Sequence, residues 1–217
     1  MTRAKPFLLT LAILFGIAMQ VSSAKARDIQ TAIFAGGCFW CVEADFDMVK
    51  GVISTTSGYT GGTTRNPTYK QVTKGGTGHY EAVRIRFDAH VVSYKELVDI
   101  FWRTVDPLDA GGQFCDRGAS YRTAVFVKGG AQRMVAEASK AEADKAISGK
   151  IVTPILNAGA FYRAEAIHQG YYLGKKRVLT RFGYVTQAKA YKSYREGCGR
   201  DKRVRQIWGS AAPFAGS

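Results

Sequence analysis

Two of the four cysteines in this sequence, Cys38 and Cys41, stand three apart in "FAGGCFWCVEADF", Phe34 to Phe46. A redox dithiol, half a zinc site and a nucleophile with an incidental neighbour all share this spacing. Cys115 and Cys198 do not form a second Cys-x-x-Cys pair, and His79, His90 and His168 show no ligand spacing. The sequence therefore predicts no zinc or other metal. An apolar run, Thr31 to Ala35, precedes Gly36 and Gly37, while Phe39, Val42, Phe46 and Val49 follow at helical spacing. This predicts a strand-to-helix turn with Cys38 as the first helical residue. Unpaired N–H groups and the helix dipole there favour a thiolate. The double glycine is expected to let backbone approach a small ligand. The alternative reading of Cys38 is a buried, inert thiol.

Glu81 has the strand parity of Val83, Ile85 and Phe87 and so continues an apolar face. A carboxyl held there stays protonated to higher pH and can act as a general acid; placed just before the strand, it would instead be solvated. Tyr59 in "SGYTGG" and Tyr121 after "CDRGAS" carry hydroxyls that can donate to a ligand oxygen, or simply pack. Phe39 fits the helix's core stripe, whereas Trp40 falls off it, which suits a pocket wall.

The elements that position these groups follow from pattern. "GVISTTSGYTGGTTRNPTYKQVTKGGTGHY" reads as long loops with at most a short strand, Val52 to Ser57. "EAVRIRFD" alternates as a half-buried strand. "SYKELVDIFWRTV" is a helix with a capping box from Ser93 to Glu96. Tyr121 to Val127 is a strand, "AQRMVAEASKAEADKAIS" an amphipathic helix, and "IVTPIL" an edge strand because of Pro154. A helical piece is expected over Glu165 to Tyr172. Strands and helices interleave, which predicts an α+β two-layer sandwich with a mixed sheet, a ferredoxin-like core, long glycine-rich loops and a loosely structured C-terminal tail.

The chain has 217 residues and a formal net charge of +14. Its first 24 residues carry Arg3 and Lys5, an apolar run from Phe7 to about Met19, and small residues at Ser22, Ser23 and Ala24. That is the layout of a signal peptide, cleaved after Ala24 or Ala26. The expectation is one catalytic domain over 25–217 with a tail from 190, exported and periplasmic, without stable membrane insertion after cleavage. No nucleic-acid motif accompanies the basic charge, which reads as a solvated surface with a dense stretch at "REGCGRDKRVR".

The motifs "GCFWC", "GYTGG", "GHYEAV", "DRGASYRTAVF" and "FYRAEAIHQGYY" occur in this order between about Ala32 and Tyr172. Together they resemble the peptide methionine sulfoxide reductases of the A type. The resemblance implies reduction of methionine S-sulfoxide, free or in proteins, with no bound cofactor and a thioredoxin-like donor. It implies Cys38 as nucleophile, Glu81 as acid, Tyr59 and Tyr121 as supporting hydroxyls, Phe39 and Trp40 as the methyl-binding aromatics, and Asp116 as a residue lining the site. The chain departs from the family in having Cys41 where Gly is frequent and Cys115 where Asn is frequent. The resolving thiol therefore stays open among Cys41, Cys115 and Cys198. Cys198 is favoured, because Gly197 and Gly199 flank it and many family members keep a recycling cysteine in a glycine-rich tail. The rival activity is general thiol–disulfide exchange through Cys38 and Cys41. A binding module for anionic envelope polymers, with incidental thiols, is the non-enzymatic alternative.

Overall fold

Strand β1 (Ile29–Gly36) alternates strictly, with Ala32 and Phe34 entering one core and Ile33 and Ala35 another across the sheet. The computed structural model describes residues 26–216; the expected signal peptide lies outside them. In chain order the remaining elements are α1 (Phe39–Asp47), β2 (Val52–Thr60), α2 (Tyr69–Lys74), β3 (Tyr80–Asp88), α3 (Tyr94–Trp102), β4 (Gly112–Gln113), β5 (Asp116–Arg117), β6 (Thr123–Val127), α4 (Gly129–Ala146), β7 (Ile155–Asn157), β8 (Phe161–Arg163), β9 (Arg177–Thr180), β10 (Gly183–Thr186), α5 (Gln187–Gly197) and α6 (Arg200–Trp208).

The main sheet is mixed and six-stranded, in the order β7-β6-β1-β3-β2-β8. Only β6 and β7 pair in parallel; the other neighbours are antiparallel. Helices α1, α3 and α4 cover the face that carries Phe34, Val83, Ile85, Phe87 and Val125. Trp102 of α3 donates its indole N–H to Ser139 of α4 at 2.9 Å, which satisfies a polar group inside this layer. Two small hairpins, β4–β5 and β9–β10, stand apart from the sheet. The core is built from aliphatic and aromatic side chains, and both methionines among the described residues, Met48 and Met134, are exposed (50% and 68%).

Several elements differ from the sequence expectation. Strand β2 runs on to Thr60, so Tyr59 is a strand residue rather than a loop residue. Tyr121 closes a 3₁₀ turn, Ala119–Tyr121, and the strand begins at Thr123. The helical piece at 165–172 is two 3₁₀ turns, Ala166–His168 and Tyr171–Leu173. The tail is not loose: α5 and α6 are docked by charge. Asp45 on α1 is fully buried and accepts from Arg195 Nη1 at 2.7 Å. Arg200, 2% exposed, donates to the carbonyls of Gly36 and Thr104 at 3.2 and 2.9 Å. A basic run that reads as solvated thus turns two arginines inward, where carbonyls, the carboxylates of Asp45 and Asp201 and the Tyr191 hydroxyl replace water.

This predicts a specific cost. Asp45→Ala leaves Arg195 buried without its inner carboxylate, and breaking a buried pair in this way costs about 3–5 kcal/mol. Urea unfolding measures it, and an unchanged midpoint would rule out this anchoring of the tail.

Candidate active site

Cys38 is the N-cap of α1 rather than its first residue, and its side chain caps no backbone group. Its carbonyl accepts from Cys41 N–H at 3.1 Å, while the sulfur, outside any disulfide, meets the Cys41 thiol. The glycines before it serve packing, not ligand approach as the sequence suggested. Gly37 has φ +80°, and a Cβ there would stand 2.5 Å from Gln113 Cβ. A Cβ on Gly36 would meet Val42 Cγ2 at 2.8 Å.

Glu81 lies inside β3, opposite Tyr59 of β2, and is 1% exposed. The solvated alternative is excluded. Its Oε2 accepts the N–H of Phe39 at 3.1 Å, one of the orphan donors at the start of α1. Burial pushes the Glu81 carboxyl well up, against the smaller opposing effect of that N–H. Burial thus favours the neutral form of Glu81, whose Oε2 is held on the amide of the residue after Cys38. Burial also pushes the Cys38 thiol up, assisted by Cys41 and by the nearby carboxyls of Glu81 and Asp116. The expectation of a resting thiolate at Cys38 is corrected: the helix start is spent on Glu81. Cys41 is pulled the other way, by the hydrogen bond from Cys38 and then by Arg200 and Arg195.

The hydroxyls are distributed differently from the sequence reading. Tyr59 is buried beneath Phe39, with ring centroids 6.0 Å apart, and its hydroxyl donates to Glu165 Oε2 at 2.8 Å. The tyrosine that hydrogen-bonds Tyr121 is Tyr69, and Glu81 and Cys38 both act on this pair. Tyr69 is the first residue of α2, with its N–H on Glu165 Oε1 at 2.8 Å. The sequence signal was present: Thr68 and Gln71 form a capping box that starts a helix at Tyr69. Glu165, His168 and Tyr171 also went unassigned, although they lie in "FYRAEAIHQGYY".

Trp40 lies flat on Tyr171, with ring centroids 3.8 Å apart at 7°, and donates its indole N–H to His168 Nδ1 at 3.3 Å. His168, held neutral by burial, in turn covers the Tyr69 ring at 4.2 Å. Phe39 is 1% exposed and walls the same aromatic cluster. The 165–173 segment that supplies these rings is fixed to the body. The Gln169 amide pairs with both backbone groups of Ser57, and Gly170 N–H reaches Glu43 Oε2 at 2.9 Å. On the opposite side Asp116 receives the hydroxyl of Tyr194 from α5, in a short hydrogen bond.

Cys198 is bonded to Cys115, and Cys38 and Cys41 are free. The expected closure of Cys198 on Cys38 belongs to turnover, and in the resting protein Cys198 is held by Cys115. The thiol that hydrogen-bonds Cys38 is Cys41.

A buried thiol, a buried carboxyl and an aromatic cluster converge at one helix start, in the region of the sequence that a family model of peptide methionine sulfoxide reductase matches over residues 30–210. The chain belongs to this family. A peptide methionine sulfoxide reductase of Caulobacter vibrioides is 48% identical over 205 residues, covering 92% of this chain and 98% of its own. The Bacillus subtilis enzyme is 46% identical over 183 residues, covering 83% and 97%. Among solved structures, methionine sulfoxide reductase A of Corynebacterium diphtheriae superposes with a TM-score of 0.60 at 31% identity, over 72% of this chain and 82% of that one. Reduced Mxr1 of Saccharomyces cerevisiae gives 0.65 at 26%, over 73% and 92%. The reaction of the chain is the thiol-dependent reduction of methionine sulfoxide.

The two tyrosines can be separated by experiment. Tyr69→Phe removes a hydroxyl from the cluster at Glu81 and is expected to lower kcat about 10–100-fold, the worth of a charge-assisted hydrogen bond. Tyr59→Phe removes the hydroxyl held on Glu165 Oε2, on which Glu81 and Tyr121 also act, and should lower kcat less and thermal stability more than Tyr69→Phe. Equal loss of kcat in both variants, by steady-state kinetics on methionine sulfoxide, would contradict this division.

Proposed function

We propose that Cys38 passes its proton to Cys41, to which it is hydrogen-bonded, and attacks the sulfoxide sulfur while Glu81 delivers its proton to the sulfoxide oxygen, with the hydroxyls of Tyr69 and Tyr121 donating to the same oxygen. Phe39 and Trp40 hold the substrate's methyl group, and Asp116 lines the opposite wall. Methionine leaves and Cys38 carries the oxygen as a sulfenic acid. Cys41 then condenses with it, releasing water and forming a Cys38–Cys41 disulfide. The resemblance favoured Cys198 for this closure; the resting bond of Cys198 to Cys115 supports Cys41 in its place. Adjacency favours Cys41, and so do Arg200 and Arg195, which act on Cys41 to favour the attacking thiolate. The single observation that carries the reading is Glu81, buried on the amide next to the nucleophile, where burial favours its neutral form.

The finer features belong to the same proposal. The substrate is the S epimer, free or within proteins, and a thioredoxin-like protein resets the enzyme. Arg3, Lys5 and the apolar run after them support export to the periplasm, with no stable membrane insertion of the mature chain. The order β6-β1-β3-β2, with α1 and α3 as its helices, supports a ferredoxin-like reading of the core.

Two measurements test the mechanism. Glu81→Gln keeps the shape but has no proton to give, so kcat should fall on the order of 10²–10⁴-fold. In the parent, kcat/KM should fall as pH rises through the elevated pKa of Glu81, because the neutral acid is the active form, and the variant should lose that limb. A full rate in the variant would reject the acid. Second, Cys41→Ser should stop after one methionine with Cys38 as a sulfenic acid, whereas Cys198→Ser should still form the Cys38–Cys41 bond. Mass spectrometry after one equivalent of sulfoxide distinguishes these species; a Cys38–Cys198 bond in the parent would restore the tail thiol to that role.

A further inference from the structure

Tyr69 presents its hydroxyl to the sulfoxide oxygen, yet the element that carries it is slight. Helix α2 has six residues, of which Val72 alone is buried. Glycine pairs flank it, Gly61 with Gly62 and Gly75 with Gly76. The Tyr69 ring leans on His168 and Phe39, with centroids 4.2 and 6.1 Å away. Apolar contact of this kind is non-directional and does not fix where the hydroxyl ends. The capping box does not fix it either. Thr68 Oγ1 accepts from Gln71 N–H, and Gln71 Oε1 accepts from Thr68 N–H. The N–H of Tyr69, an orphan donor of the helix start, is left to be met from outside the helix.

Glu165 meets it. Its Oε1 accepts the Tyr69 N–H at 2.8 Å, and its Oε2 accepts the Tyr59 hydroxyl, also at 2.8 Å. Tyr59 is fully buried in β2, opposite Glu81 of β3. One carboxylate thus joins the sheet, at the residue that faces the acid, to the first amide of α2. Glu165 is exposed and is not needed to hold its own segment. The Gln169 amide already grips Ser57 and the carbonyl of Ala164, and Gly170 N–H reaches Glu43. Partial burial pushes the Glu165 carboxyl up, but the N–H groups of Tyr69 and of Glu165 itself, with the Tyr59 hydroxyl, outweigh it and hold the carboxyl below its usual range. Both bonds are therefore charge-assisted at neutral pH.

We infer that Glu165 is a positioning residue for the reduction: its carboxylate ties the amide of Tyr69 to the hydroxyl of Tyr59 and so sets the Tyr69 hydroxyl, beside Tyr121 and Glu81, where the sulfoxide oxygen takes up charge. This rests on the role proposed above for Tyr69 and adds the group that holds Tyr69 to it. Glu165 acts through Tyr69, without touching the reacting atoms itself. A donor aimed at a developing charge loses its effect steeply when misplaced, so a bond made to the backbone of Tyr69 is felt in the rate.

The test is a double-mutant cycle on the full chain, read as the rate of methionine release in the first turnover. Glu165→Ala should slow that rate about tenfold at saturating sulfoxide, with the half-saturating concentration unchanged. In the Tyr69→Phe background the same substitution should cost less than about twofold, because no hydroxyl remains to be placed. Glu165→Gln keeps an oxygen for the Tyr69 N–H and should recover most of the loss. An unchanged rate in Glu165→Ala overturns the inference, and so do equal losses in the two backgrounds, which make Glu165 a general support of the site. A raised half-saturating concentration at full rate also overturns it and assigns Glu165 to the wall formed by His168 and Tyr171. A Gln variant as slow as the Ala variant overturns positioning in favour of charge. Tyr69→Phe alone at the parent rate would instead overturn the Tyr69 assignment beneath, and the inference with it.

Discussion

At the start of α1 the amide of Phe39 and the carboxyl of Glu81 meet 3.1 Å apart, and this contact couples two conflicting demands. A buried carboxyl must find a donor, and a helix start must find acceptors. Each satisfies the other. The side chain of Cys38 is thereby relieved of the capping duty that an N-cap residue usually performs. The acid is held against the nucleophile's own backbone, so any shift of β3 relative to α1 moves both together. The aromatic cluster, the tyrosine pair and the docked tail are arranged around this junction.

The tail is the second constraint. Asp45 takes its close ion pair from Arg195 and a longer one, at 4.0 Å, from Arg200, whose other partners are the carbonyls of Gly36 and Thr104. These contacts bring α5 and α6 against the back of α1. They deliver Tyr194 to Asp116 on one side and positive charge to Cys41 on the other. Docking of the C-terminal segment and tuning of the Cys41 thiol are one set of interactions.

How much of this was legible in the sequence follows from what each signal depends on. The strand-turn-helix at Cys38 and the buried parity of Glu81 depend on local periodicity, which survives folding intact, and both were read correctly. Tyr59 was misread because a glycine-rich, threonine-rich stretch signals turns, while the register with β3 makes it a strand; its burial is a tertiary effect. Tyr69 was overlooked although its capping box is written in the sequence. The order of α5 and α6 was missed for a different reason. Their arginines look solvated until Asp45, 150 residues away from Arg195, is folded against them. The pairing of Cys115 with Cys198 spans 83 residues and has no local signature at all.

The placement of the methionines has its own consequence. An enzyme that repairs oxidised methionine works wherever oxidants are present, and it is itself a target. Sulfoxidation turns an apolar side chain polar, which disrupts a core that relies on it. Here Met48 and Met134 lie on the surface, and the packed interior is phenylalanine, valine, isoleucine, leucine and tryptophan. Oxidation of either side chain adds oxygen in contact with water and leaves the packing alone. The repair catalyst therefore tolerates the lesion that it removes from others.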